Sequence, residues 1–130
     1  MFELAQMADN SELADLWVRD VPLYDPEFGD VGQAYDPFVT LGYLAAVTKN
    51  ISLGTAGIVT TLREPILTAK QAVSMDQLSK GRFLLRLATG DRPREYPAFN
   101  QSFLNRGECF RETWDIITRL MYQSYPDFST

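Results

Sequence analysis

The 130 residues carry 12 Lys and Arg against 17 Asp and Glu, a net charge of −5, and 45 % of them are hydrophobic. This is the balance of a globular chain with one core: the sign is wrong for neutralising a polyphosphate backbone, and no apolar run approaches the roughly 18 residues that span a bilayer, so neither nucleic acid nor membrane is an expected partner. A single cysteine, Cys109, and no histidine exclude an internal disulfide, a zinc site with imidazole ligands, and Ser-His-Asp or Cys-His catalysis from this chain alone; no signal-peptide pattern leads the chain, and the expected compartment is the cytoplasm.

In chain order, Phe2, Ala5 and Ala8 recur at helical spacing over Phe2 to Asp9, and Leu13 to Val18 follows as a short apolar strand. Asp20 to Tyr35 is rich in Pro, Gly and Asp and reads as a long loop, a feature that in compact domains is usually functional or disordered. Asp36 and Pro37 supply an N-cap acceptor and a proline at the first helical position, opening an apolar helix from Phe38 to Thr48. Ile51 to Val59 mixes β-branched and small residues without alternation, as expected of a strand buried on both faces. Pro65 starts a helix through Leu78, with Ala69, Ala72 and Val73 on one face and Ser79-Lys80-Gly81 as its stop. Arg82 to Ala88 is a third strand, and Thr89 to Phe103 a second long loop. Asn105 with Glu108 resembles a capping box before a final helix striped by Phe110, Trp114, Ile117 and Met121, and Ser124 to Thr130 reads as irregular.

Strands alternating with helices imply a parallel sheet with right-handed crossovers. A doubly wound domain and a segment of a (β/α)8 barrel both satisfy that pattern, and in both the ligand sits at the carboxyl ends of the strands. Three exits are therefore informative: Arg19-Asp20-Val21-Pro22, Thr55-Ala56-Gly57 and Thr89-Gly90-Asp91-Arg92. Small residues at two of them let a flat ligand approach the backbone, although the same residues also make ordinary turns.

The runs Leu16-Trp17-Val18-Arg19-Asp20, Asp36-Pro37 to Ala46, Leu53-Gly54-Thr55-Ala56, Asp76-Gln77-Leu78-Ser79-Lys80-Gly81-Arg82, Ala88-Thr89-Gly90-Asp91-Arg92-Pro93 with Glu95 and Phe99, and finally Arg106 together resemble the bacterial-luciferase-like flavin-dependent monooxygenases. The resemblance covers about Phe2 to Tyr122 and implies a partial (β/α)8 TIM barrel, α/β with parallel strands, truncated at both ends: one incomplete domain over residues 1–130 holding the family's strands 2 to 4 and their helices. It implies reduced FMN as cofactor, with the deazaflavin F420 as the less favoured alternative. A small organic substrate, dioxygen and a flavin reductase would be its partners. Thr55, Ala56 and Gly57 match the segment against which the flavin ring packs, often through a strained non-proline peptide bond. Thr89 and Gly90 match the next exit beside the ring, and Arg106 matches a basic residue that reaches the flavin phosphate. Where luciferases proper carry a catalytic histidine, this chain has Val21 between Asp20 and Pro22, so light emission is not expected.

Single residues carry two readings each. Asp20 is a general acid or base, or the cap of a turn; Arg92 and Arg94 bind an anion, or stand solvated in a loop. Asp76 and Arg82 read as a pair or cap at the helix stop, Cys109 as an inert buried thiol, and Trp17 and Trp114 as core. Arg86 either points into the barrel toward a buried acid or faces a gap. The functional expectations are an FMN-dependent monooxygenase in complete form, a non-catalytic fragment that folds as a homo-oligomer, or a flavin-binding protein without turnover.

Overall fold

The computed structural model describes residues 1–124 and 126–128. Its helices are α1 (Phe2–Asp9), α2 (Pro37–Val47), α3 (Pro65–Leu78) and α4 (Arg106–Tyr122). Its strands are β1 (Asp15–Val18), β2 (Ser52–Thr55), β3 (Ile58–Val59), β4 (Phe83–Leu84) and β5 (Leu87–Ala88). All pairings are parallel, in the orders β1-β2-β4 and β3-β5. The strands therefore follow one another across the sheet without the reversal of order that marks a doubly wound fold. The helices also pack in sequence, α1 on α2, α2 on α3 and α3 on α4.

One core cluster joins Ala5 and Ala8 of α1, Phe38, Leu41 and Leu44 of α2, Leu53 and Ile58 of the sheet, and Ala72 and Met75 of α3, with Leu16 and Val18 of β1 packed against it. Three helices, α1, α2 and α3, thus bury their apolar sides on the same face of the sheet. Period-2 alternation sends Trp17 the other way, toward what is the interior of a barrel. Trp17 is 44 % exposed there, and so is Leu84 of β4 at 41 %. The sheet is a segment of barrel wall with its helices outside.

Local chemistry explains the element ends. Asp36 Oδ1 accepts from Val39 N at 3.1 Å and Pro37 opens α2, as the sequence predicts. α3 starts the same way, with Glu64 accepting from Leu67 N at 2.8 Å before Pro65. Its stop places both Lys80 (φ 59°) and Gly81 (φ 80°) in the left-handed region, and Gly81 N returns to the Asp76 carbonyl.

Several expectations are corrected. Each of the two long strands is broken in two. The Asn105 side chain makes no cap bond, because a 3-10 turn over Phe103–Asn105 leads into α4 instead. Trp114 is 50 % exposed, and α4 buries Thr113 and Ile117 rather than the whole predicted stripe. Val73 is likewise exposed, the buried side of α3 being Thr68, Ala69, Ala72 and Met75. Of the two readings of Asp76 and Arg82, the pair does not form and the cap does, Arg82 Nε donating to the Ser79 carbonyl at 2.9 Å. Its guanidinium donates to the carbonyls of Ala45, Thr48, Ile51 and Ser79 and to Thr48 Oγ1, so it binds the open carbonyl end of α2. The irregular tail expected over Ser124 to Thr130 lies partly outside the described residues.

Candidate functional site

The strand breaks coincide and form one device. Leu53 and Gly54 pair with Phe83 and Leu84, and Ile58 and Val59 pair with Leu87 and Ala88. Between these registers lie three residues on one side, 55–57, and two on the other, 85–86, so the first strand carries one extra residue: a bulge. Thr55, fully buried, closes it by its side chain. Its hydroxyl donates to the Arg86 carbonyl and accepts from Arg86 N, both at 2.8 Å. Gly57 then adopts φ 110°, and a Cβ there would stand 3.0 Å from Ala88 Cβ. The peptide bonds of the described residues are trans, so the turn rests on the glycine conformation and not on the strained peptide bond the resemblance suggests.

A side chain also extends the sheet beyond β1. Asp20 Oδ2 accepts from Val59 N at 2.9 Å and from Arg63 Nε at 3.0 Å, while Oδ1 accepts from Arg63 at 2.7 Å. The Asp20 side chain is 1 % exposed. Both oxygens accept hydrogen bonds from the protein, Oδ2 two and Oδ1 one, and these bonds position the exit. Arg63 reaches Asp36 as well, at 3.0 Å. One guanidinium therefore gathers both ends of the long loop that runs from Asp20 to Asp36.

The middle of that loop is fastened to the loop after β5. Arg92 grips Asp30 bidentately at 2.5 and 2.6 Å, both side chains nearly buried, and lies 4.4 Å over the Phe28 ring. Arg94 reaches Glu27 and Asp25, and Glu95 accepts from Leu23 N at 3.3 Å. The Arg92 fork and the Asp25 N–H together hold the Asp30 carboxyl down at about 2. Burial pushes Glu95 the other way, above the ordinary carboxylate range, against the opposing Leu23 N–H and Arg92.

Behind the third exit stands Tyr96, 1 % exposed and edge-on to Phe103. Its hydroxyl donates to the Thr89 carbonyl, which also accepts from Thr61 Oγ1 at 2.8 Å. Gly90 (φ 83°) lies on this support, and a Cβ there would meet Val59 Cγ1 at 2.8 Å and Tyr96 Oη at 2.9 Å.

These parts enclose a cavity of about 270 Å³ at the carboxyl ends of the strands, lined by Arg19, Asp20, Ala56, Gly57, Val59, Ala88, Thr89, Gly90, Asp91 and Arg92. The structure thus brings together Asp20, Ala56, Gly57, Thr89, Gly90 and Arg92 of the expected residues. Thr55 lies behind the wall, its hydroxyl committed to Arg86. Arg106 does not line the cavity: at the start of α4 it donates to the Phe103 carbonyl at 2.9 Å and stacks 3.8 Å over the Phe103 ring. Arg92 is present but neutralised by Asp30. Among the described residues Arg86 meets no acid, and it lies 5.3 Å over the Trp17 ring.

Residues 1–130 match the family described as luciferase-like monooxygenase. The chain belongs to this family. Among its relatives is the alkanal monooxygenase beta chain of Photorhabdus luminescens, 31 % identical over 123 residues, a match covering 94 % of this chain and 38 % of the relative. The alpha chain from the same organism is 25 % identical over 119 residues, covering 92 % of this chain and 31 % of the relative. In fold, the chain superposes on a monooxygenase from Streptomyces bottropensis with a TM-score of 0.84 at 24 % identity, over 94 % of this chain and 36 % of that one. It also superposes, with a TM-score of 0.85 at 17 % identity, on the oxygenating constituent of 3,6-diketocamphane monooxygenase from Pseudomonas putida in complex with FMN, over 99 % of this chain and 35 % of that one. An F420-dependent secondary alcohol dehydrogenase gives 0.83 at 20 % identity, over 99 % of this chain and 39 % of that one. The luciferase-like chain spans about a third of the length of these relatives, between 31 and 39 %, and a partial barrel accounts for the observed sheet.

Four residues that build the site escape sequence reasoning: Asp30, Thr61, Arg63 and Tyr96. Asp30 and Arg63 sit among polar residues, and their partners are 62 and 43 positions away. The one available signal was an excess of acidic residues in the first long loop, facing two arginines in the second.

Proposed function

We propose that the chain is the flavin-ring side of an FMN-dependent monooxygenase that oxidises a small organic molecule with dioxygen. The observation that carries this reading is the cavity at the strand exits, whose floor is Ala56, Gly57, Ala88 and Gly90. Parallel barrels bind their ligands at that end, and a floor without bulky side chains suits a flat ring. Thr55 and Tyr96 hold the floor rigid from behind, while the loop fastened by Arg92–Asp30 stands at its rim and limits access of water. The FMN would supply the electron transfer to dioxygen, and a flavin reductase would renew the reduced form. In this reading Ala56, Gly57, Thr89 and Gly90 face the ring, Thr55 and Asp20 position it, and Arg92 shapes the rim. Arg106 commits one nitrogen to the Phe103 carbonyl, and in this reading its remaining donors would meet the phosphate.

The test is a titration of the chain with FMN, followed by flavin fluorescence and absorbance, with F420 in competition. Quenching that saturates in the micromolar range and resists F420 supports FMN. Displacement by F420 transfers the site to the deazaflavin, and absence of quenching with either overturns the reading.

A second reading, a fragment that assembles with copies of itself, is favoured by the exposed Trp17 and Leu84 on the inner face and by β1 and β4, each paired on one side only among the described residues.

A further inference from the structure

Five arginines surround the strand exits, and the structure accounts for four of them. Arg63 serves Asp20 and Asp36, Arg92 serves Asp30, Arg94 serves Asp25 and Glu27, and Arg86 lies over Trp17. Arg19 is different. Among the described residues no carboxylate, carbonyl or ring engages its guanidinium, which acts on Asp30 only through space. It is nevertheless in the cavity wall.

Its direction follows from the strand. Exposure alternates along Asp15, Trp17 and Arg19 against the more covered Leu16, Val18 and Asp20, so Arg19 shares the inner face with Trp17 and extends it to the carboxyl end. Its neighbour Asp20 is locked to Val59 and Arg63, which fixes the backbone from which Arg19 projects. A guanidinium held at a cavity mouth without a partner is an open bidentate donor for a carboxylate or similar oxyanion. The other cavity charges refine the class. The Asp30–Arg92 pair cancels, and the Asp91 carboxylate repels a second negative charge. Beside the Ala56 and Gly57 surface that faces the ring, Val59 and Ala88 offer only apolar surface to the rest of the molecule.

We propose that Arg19 is the anion-binding residue of this cavity, and that the small molecule taken there is a monoanion, a carboxylate with a compact apolar body. This rests on the flavin reading of the same site, and names its substrate class.

The probes are hexanoate and its neutral analogue hexanamide, titrated calorimetrically into the 130-residue chain with and without FMN. The chains compared are the unsubstituted protein, Arg19→Gln and Arg19→Lys. The expected result is about tenfold tighter binding of hexanoate than of hexanamide, the scale of one charge-assisted hydrogen-bonded contact. Arg19→Gln loses that preference, Arg19→Lys keeps part of it, and FMN quenching is unchanged in both. Equal binding of hexanoate by the unsubstituted chain and Arg19→Gln overturns the proposal. So does an Arg19→Gln variant that loses FMN and hexanoate affinity together, which would place Arg19 on the flavin. No FMN quenching in the unsubstituted chain defeats the flavin reading instead, and the flavin-free titration separates the two failures.

Discussion

Thr55 does with a side chain what the backbone does elsewhere in the sheet. The extra residue of the bulge leaves Arg86 N without a ladder partner while Arg86 O still accepts from Ile58 N at 2.8 Å, and the threonine hydroxyl accepts from the first and donates to the second. Thr55→Val keeps the shape and strands the Arg86 N–H, so a loss of about 1 to 3 kcal/mol in denaturant unfolding is expected, with Thr55→Ser recovering most of it. If Thr55→Val proved as stable as the native chain, the hydroxyl would not be closing the bulge. Glu95 is an opposite case, a buried carboxyl whose protonated form the fold prefers. A raised folded-state value means that its stabilisation is complete below the ordinary carboxylate range and is lost as pH rises through that raised value. Glu95→Gln keeps an acceptor for Leu23 N and removes the titration. Its melting temperature should exceed that of the native chain at pH 7 and converge with it near pH 4. A gap of equal size at both pH values would assign the effect to packing instead.

At the scale of elements, the loop from Asp20 to Asp36 is a closed unit, with its two ends on Arg63 and its middle on Arg92, Arg94 and Glu95. Asp30→Asn leaves the nearly buried Arg92 cation without a charge partner, and should loosen the loop without melting the core. Hydrogen exchange is the direct measure: faster exchange at Leu23, Asp25 and Phe28, unchanged exchange at Leu53. Uniform acceleration along the chain would mean that the loop is part of the global folding unit. Because the folded Asp30 value lies near 2, below the unfolded one, its contribution is full above the ordinary carboxylate range. It should fade only as pH falls from about 4 toward 2. This level also shows where sequence reading stops. The proline and acidic caps at Asp36-Pro37, the stop at Ser79-Lys80-Gly81 and the three exits were legible, because each is a local pattern of four residues or fewer. The bulge was not, since a run such as Ile51 to Val59 has the same composition whether or not one residue is extra to its partner. Nor was the choice of Arg92 over Arg19 as the neutralised arginine, which depends on a loop conformation that brings residue 30 to residue 92. Trp17 misled because a large apolar side chain on the inner face of a barrel is core only where the opposite wall stands against it.

For the whole molecule the governing fact is that one face of the sheet is covered and the other is not. The helices seal the outer face around Leu41, Leu53 and Met75, while the inner face shows Trp17 folded over Gly54, Leu84, and Arg86 stacked on Trp17. Apolar side chains beside strands with a free edge are a template for further strands. If a second copy provides them, light scattering of the 130-residue chain gives at least twice the mass of one chain. Leu84→Lys then shifts that mass toward one chain while the helical circular dichroism persists, because Leu84 lies outside the sealed core. If strands of a longer polypeptide cover the same face, the substitution acts within a single molecule and lowers the melting temperature of that longer protein without altering its mass. A native 130-residue chain that is monomeric, cooperatively folded and indifferent to Leu84→Lys would refute both arrangements, since neither could leave that charge without effect.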